Sequence, residues 1–569
     1  MTSLKSPWRE AAVYQIYPWT FNEDKSRTPQ RGHGSIKGIN EKIPYLKNEL
    51  GVDAIWLSPF YPSPMKDGGY DISDFNNVHP DLGTLEDFDE MVASAHDHGV
   101  RVMVDFIPNH TSDQHEWFQK SRRREEGYED WFIWRPGHVD ENGERHPPNN
   151  WACVFSIPNR KARDRGEMPW LQPHEWTPPV SAWQWDDERQ EYYLHSFAVE
   201  QPDLNWSNPV VREVMKDAIR FWLRRGVDGF RIDAVNHTAK NMELRDEEVN
   251  TAYNEHWNEN PYDELRRENS ADYAPALHQY TWEMTEALKE EEFAESDLRI
   301  VWEAYMGESA LRDLDAVAPG VANSFNFGRL HLDWNAQHHK IQLDYYYSRL
   351  NKAAVGNQVN GNHDKPRVAS RLGDDRARAA VIINLFLPGM TFIYNGEELG
   401  LHDAHIPAER MQDPNGLRDP SRTPMIWNDT EPSGGFSNAD PDKLWLPTNS
   451  DDMRLSVYRQ KEDRLSSLTL YQAALRLRKE LAPVQHGGYL PQHADNDQVL
   501  VYGRGHEEDT VIVLANFSEH EQHVKVPESP FVIGHAVLSS VSVLDDQKNV
   551  DLRAGVKLLP NEVLVVQSA

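Results

Sequence analysis

The 569-residue chain holds a single cysteine, Cys153, which excludes both an intramolecular disulfide framework and a cysteine-based metal cluster. It lacks any run of about 18 apolar residues, and residues 1–10 show no apolar leader. These absences predict a cytoplasmic protein held together by packing. Basic residues are also short: 59 Lys and Arg face 91 Asp and Glu, a net charge of −32. Nucleic acid and anionic membrane surfaces are therefore not expected partners, whereas a neutral or cationic small molecule is. Two signatures of hydrolytic chemistry are missing as well. There is no His-x-x-x-His for a zinc site and no Gly-x-Ser-x-Gly for a serine nucleophile.

What is present is alternation. Eight short apolar runs, at 13–17, 53–57, 102–107, 229–235, 299–304, 323–327, 358–364 and 391–397, are separated by amphipathic stretches. Eight parallel strands with intervening helices predict an α/β fold of the (β/α)8 barrel type. Thr84 with Asp87 signals a helix start, Leu85, Phe88, Val92 and Ala95 share one face, and Gly99 ends the helix. Further helices are expected over 208–225, 376–386 and 455–481. The barrel is assigned to 1–105 and 206–482. The segment 106–205, rich in Trp, Pro and Asn, is too long for a plain loop and is read as a small inserted domain after the third strand. Short β-type runs after Leu481 predict a C-terminal antiparallel β-sandwich over 483–569.

Acids and their partners crowd the ends of these strands: Asp105 and Asn109-His110, Arg231 and Asp233, Glu303, and His363-Asp364. Parallel barrels put their sites at that face. On spacing alone, Arg231-x-Asp233 is as readily a buried ion pair as a reaction centre. Several carboxylates on one face repel one another, however, and need an offsetting role. Glycoside hydrolysis needs such a set, with one ionised carboxylate to attack the anomeric carbon and a protonated one to serve the leaving oxygen. The aromatics of the insert, such as Trp183 and Trp185, are read as part core and part sugar-stacking wall.

These residues fall in ordered motifs: 12–18 (AVYQIYP), 69–74 (GYDISD), 105–110 (DFIPNH), 201–206 (QPDLNW), 229–233 (GFRID), Glu303-Ala304, 361–364 (GNHD) and 418–425 (RDPSRTPM). Together they resemble the α-amylase superfamily, glycoside hydrolase family 13, and within it the α-glucosidase and oligo-1,6-glucosidase group. The resemblance implies that Asp233 is the nucleophile, Glu303 the general acid and base, and Asp364 the acid that steadies the distorted sugar. It further implies that Arg231 keeps Asp233 ionised, that His110 and His363 bind glucose hydroxyls, and that Asp105 belongs with them to the substrate-binding set. Asp71 and Arg422 would close the pocket behind the non-reducing end, with Tyr70 as stacking platform. A retaining pair should stand about 5 to 5.5 Å apart.

Within this resemblance Ala234, directly after the nucleophile, points to α-1,4 rather than α-1,6 linkages, although packing alone also accounts for a small residue there. The expected substrate is a short oligosaccharide such as maltose, with glucose transfer to other acceptors as the accompanying reaction. Oligo-1,6-glucosidase, sucrose or trehalose hydrolase and trehalose-forming isomerase are the alternatives, but the Arg-Leu-Asp-Arg-Asp segment of sucrose isomerases is absent. An amylase-like transporter heavy chain would lack the acids and carry a membrane span. Arg31 and Ser35 stand where relatives have calcium-binding acids, so no cofactor and no structural calcium are expected. Lys365 replaces a common glutamine, Trp302 a small residue, and 156–180 reads as an insertion that narrows the entrance or meets a second copy. A monomer or homodimer is expected.

Overall fold

Side chains that alternate between two apolar layers define the central sheet. Its strands are β1 (Ala12–Ile16), β2 (Ala54–Leu57), β3 (Arg101–Phe106), β4 (Gly229–Ile232), β5 (Arg299–Trp302), β6 (Ala322–Ser324), β7 (Asn357–Val359) and β8 (Met390–Tyr394). They belong to a computed structural model that describes residues 8–155, 180–252, 263, 265–330, 332–350, 354–413, 418–544 and 548–569. All pairings are parallel, in the order β6-β5-β4-β3-β2-β1-β8-β7. A parallel bridge between Asn326 and Gln358 joins the two edges, so the sheet closes as the expected (β/α)8 barrel.

Val13, Ala54, Trp56, Met103, Val301 and Phe392 fill the barrel interior. The alternate residues, among them Tyr14, Ile55, Val102, Phe230 and Ile300, pack in the layer beneath the helices. Register sets Met103 beside Gly229 and Asp105 beside Arg231, with Val301 on the other flank of Arg231. A period of two then aims Asp105, Arg231, Asp233 and Glu303 to the same interior, at the C-terminal mouth. Gly229 is required by this crowding, since a Cβ there would lie 2.6 Å from the Arg299 carbonyl oxygen.

Several elements differ from expectation: the seventh strand, read over 358–364, is Asn357–Val359, and two further differences have a clear physical reason. The fourth strand stops at Ile232 rather than 235, because Ala234 enters the left-handed region at φ 41° and ψ 41°. The helix expected over 455–481 is two helices, Val457–Gln460 and Ser467–Glu480, with Ser466 capping the second by accepting from the Thr469 amide. The helix Leu85–Asp97 starts with the expected reciprocal capping box of Thr84 and Asp87.

After β3 the chain forms a helix (Glu116–Arg122), a hairpin (His138–Val139 with Arg145–His146) and a small sheet of Trp134–Arg135, Glu191–Leu194 and Trp183–Asp186. Trp131, Trp134, Trp151 and Trp183 are each 5% exposed or less, so these rings are core rather than sugar-stacking walls. A buried ion pair, Lys240 Nζ to Asp203 at 2.9 Å, locks the segment to the loop after β4. Residues 156–179 of the suspected insertion lie outside the described residues. At the C-terminus six antiparallel strands run from Gly488–Pro491 to Val563–Ser568. One face, with Leu500, Tyr502, Val511 and Val563, joins the main core, and the other, with Val501, Ile512 and Leu514, packs on a two-stranded sheet. Among the described residues no helix is long and apolar enough to cross a membrane.

Replacing Gly229 by Ala forces the added methyl against a strand backbone that cannot move alone. We expect a destabilisation of about 1–3 kcal/mol, read as a lower midpoint of thermal unfolding; an unchanged midpoint would refute the close approach.

Candidate active site

Arg231 emerges from β4 into the barrel mouth with 1% of its surface exposed. Its Nη1 lies 2.6 Å from Asp105 and 2.6 Å from Asp233, and its Nη2 2.7 Å from Glu303. One guanidinium therefore holds three carboxylates taken from three adjacent strands. The strand ladder continues past the strand ends to place them: the Asp233 amide donates to the Phe106 carbonyl, and the Glu303 amide to that of Ile232. The left-handed turn at Ala234 then brings its own amide onto Glu303 Oε2, at 3.0 Å.

Asp233 and Glu303 are thus brought to one cation, Asp233 on Nη1 and Glu303 on Nη2. Burial raises the Asp233 carboxyl well above its ordinary value, with Arg231 opposing and Glu303 and Asp105 adding to the rise. Asp105 is pushed up to about 7, again by burial against the pull of Arg231.

Tyr70 connects this centre to the seventh strand. Its hydroxyl donates to Asp105 at 3.0 Å and lies 2.6 Å from His363 Nε2, while the two rings stack at 5.4 Å and 2°. Gln15 donates to His363 Nδ1 at 2.7 Å, which leaves the proton on Nε2, 3.2 Å from Asp364. Burial keeps the His363 ring neutral. Burial also raises Asp364, but the His363 N–H and the guanidiniums of Arg418, Arg422 and Arg231 outweigh it and hold Asp364 below the ordinary aspartate range. Two carboxyls are pushed up and one is held down within a single mouth, the arrangement that divides acid and base roles.

The pairing expected between Asp71 and Arg422 is not formed. Asp71 turns into its own loop, where it accepts from the Ser63 hydroxyl and the Lys66 and Asp67 amides at 2.9 to 3.0 Å. Arg422 holds the His363 carbonyl at 2.8 Å and Asp364 at 3.0 Å. The pair that bridges this side is Asp67 with Arg418, at 2.5 Å, and Arg418 also contacts Asp413 and reaches Asp364 at 3.3 Å. Gln201, from the inserted segment, donates to Asp67 at 2.9 Å and sits 3.0 Å from His110 Nε2. Asp67, Arg418, Gln201 and Gln15 were missed by sequence reasoning. The signal for Asp67 was there, in an Asp67-Gly68-Gly69-Tyr70-Asp71 run whose glycines, at φ 58° and 102°, let the two acids point apart. His110 is buried with its ring kept neutral by burial.

Residues 15–487 match the family model described as "Alpha amylase, catalytic domain". The chain is 36% identical to an alpha-glucosidase of Apis mellifera, over 90% of this chain and 85% of that one. It is likewise 36% identical to Maltase 1 of Drosophila virilis, over 98% and 86%. Among solved structures, the alpha-glucosyl transfer enzyme XgtA superposes with a TM-score of 0.83 at 31% identity, covering 99% of this chain and 100% of that one.

An Arg231→Met exchange leaves buried carboxylates without their cation, at a cost of roughly 3–5 kcal/mol. Groups with a raised folded-state pKa favour the fold below their unfolded value and lose that contribution as pH rises through the folded one. The variant should therefore fall furthest below the parent in thermal stability near and above pH of about 7, and close much of the gap toward about 4. A gap independent of pH would contradict the shared-cation account.

Proposed function

The chain belongs to the α-amylase family of glycoside hydrolases, and from that premise we propose that it is a retaining, exo-acting α-glucosidase. Its substrates on this reading are short α-1,4-linked oligosaccharides such as maltose, from whose non-reducing end it releases glucose. The observation that supports the chemistry most is the single guanidinium that holds both Asp233 and Glu303. On this reading the two carboxyls flank the glycosidic bond about 5 to 5.5 Å apart. Asp233 attacks the anomeric carbon while Glu303 gives its proton to the leaving oxygen, forming a glucosyl ester. Water then attacks the same carbon, Glu303 takes the proton, and the second inversion restores the α-configuration. An acceptor hydroxyl in place of water gives transfer. Asp364, His363 and His110 hold the sugar hydroxyls in this reading, beside the ring of Tyr70.

Exo action is supported by the Asp67–Arg418–Asp413 network, which bridges two loops across the mouth on the Asp364 side. Preference for α-1,4 linkages rests on the small residue Ala234 and on the relatives named alpha-glucosidase and maltase. The reaction draws on no cofactor. In the loop 22–34, Arg31 reaches Asp81 and Ser35 caps the following helix, so we assign its shape to protein donors. The lone buried Cys153 suits a cytoplasmic setting.

Replacing Asp233 by Ala should abolish hydrolysis of 4-nitrophenyl α-glucoside in a protein that still folds, and the parent should release α-glucose first, as read by NMR. Residual turnover or a β-product would overturn the mechanism. Asp233 must be ionised to attack, so kcat/KM should be lost as pH falls through a value above the ordinary aspartate range. Asp105→Asn removes a negative neighbour and should move that acid limb to lower pH; a limb fixed near about 4 in both proteins would count against Asp233. Asp67→Ala should raise KM for maltose roughly tenfold or more, the loss expected for a buried charge pair. Thin-layer chromatography on maltose, isomaltose, sucrose and trehalose tests linkage, and faster cleavage of isomaltose than maltose would reject the α-1,4 reading.

A further inference from the structure

The proposed mechanism leaves one cation beside the trio without a role. Lys365 directly follows Asp364, and its Nζ sits 5.9 Å from the centre of the Tyr305 ring. Among the described residues no carboxylate lies within 4.0 Å of that ammonium. Tyr305 in turn lies two residues after Glu303, is 38% exposed, and stacks on Phe327 at 4.7 Å and 11°. Lys365 and Tyr305 therefore border Glu303, the group that meets the leaving oxygen, whereas Arg418 and Arg422 cover Asp364 from the closed side.

Beyond this wall opens a cavity of about 320 Å³, lined in part by Phe325, Tyr345, Arg267, Arg312 and Arg349. Arg267 donates to the Tyr305 carbonyl at 3.1 Å, and Arg349 lies over the Tyr345 ring at 4.3 Å. The carboxylate lining it, Asp315, is occupied by the Ser324 amide and hydroxyl at 2.6 and 2.9 Å. Of the cations near this wall, Arg267 faces Asp272 at 3.9 Å and Arg312 faces Asp313 at 3.4 Å, whereas Lys365 and Arg349 have no carboxylate within 4.0 Å among the described residues. In a chain with a net charge of −32, two such cations on one aromatic wall favour an anion there.

We propose that this rim selects a leaving group, or an acceptor, that carries an anionic substituent, with Lys365 as its charge contact and Tyr305 as its stacking wall. The inference rests on the α-glucosidase reading and adds the class of the second substrate. In cleavage the C–O bond breaks as Glu303 protonates the bridging oxygen, and the anionic alcohol departs with its hydroxyl neutral. In transfer the acceptor hydroxyl bonds to the anomeric carbon, Glu303 accepts its proton, and Asp233 leaves as carboxylate. A phosphorylated sugar and a carboxylated phenol share the required chemistry.

The test compares the full-length parent with Lys365→Gln and Lys365→Arg on two matched pairs. One is 4-carboxyphenyl α-glucoside against its neutral methyl ester, and the other is maltose with and without a phosphate on its reducing glucose. The readout is the ratio of kcat/KM for the anionic over the neutral member, which cancels intrinsic reactivity. Lys365→Gln should lower this ratio roughly three- to tenfold in at least one pair, Lys365→Arg should retain it, and added salt should shrink the difference. The pair that responds identifies the source of the anion. If neutral substrates are cleaved but the ratio is the same in all three proteins, the inference fails while the α-glucosidase reading stands. If no glucoside is cleaved by the parent, both fail.

Discussion

The site depends on one buried guanidinium shared by three carboxylates. Inside a barrel mouth of low dielectric, Asp105, Asp233 and Glu303 could not stand together unscreened. Arg231 meets all three with one planar fork, two oxygens on Nη1 and one on Nη2, a geometry a lysine could not reproduce. Asp105 is best understood in these terms. It accepts from Arg231 and from Tyr70, so it fixes the plane of the guanidinium and thereby the positions of the other two. Because the three acids come from adjacent strands, the cation also makes the mouth sensitive to strand register, and a one-residue slip would turn all of them out of the barrel.

Around that centre a second layer recruits the rest of the chain. Gln15 at the end of β1 sets the tautomer of His363, Tyr70 joins that ring to Asp105, and Gln201 from the inserted segment holds Asp67. Arg418, far along the chain, then ties Asp67 and Asp413 to Asp364. The closed barrel brings first and eighth strands side by side, and so β1 and the loop after β8 face one site. The insert is pinned from below by the Lys240–Asp203 pair, which fixes its height above β4. Arg418 and Arg422 converge on one oxygen of Asp364, which offsets the repulsion between the two guanidiniums.

Much of this was legible in the chain. Short apolar runs with acids at their ends identified the barrel and its working face, because burial on both sides of a parallel strand leaves a clear apolar signature. Each member of the trio sits at the end of such a run, and the resemblance to glycoside hydrolase family 13 supplied its role. The closing pair was misread as Asp71 and Arg422 because both share local motifs with the true partners, Asp67 and Arg418. Which of two acids four residues apart points outward depends on the φ angles of the glycines between them, and composition does not reveal those. For the tryptophans of the insert, read as part core and part wall, packing makes the division, since a large ring near a mouth reads equally as platform or core.

Ala234 shows why one position resists a single explanation. From the sequence it carried the choice of linkage. In three dimensions it sits in left-handed backbone, a conformation that costs roughly 1 kcal/mol for a residue with a Cβ and more for a β-branched one. What offsets that strain is local: the turn ends β4, presents Asp233 to Arg231, and turns the Ala234 amide onto Glu303. A straight strand would carry the next residue to the opposite face and leave the Glu303 oxygen with one donor fewer. The small side chain is therefore demanded by the backbone before any sugar arrives. Any influence of this residue on linkage must act through the space its methyl leaves open beside the nucleophile, and not through a contact of its own.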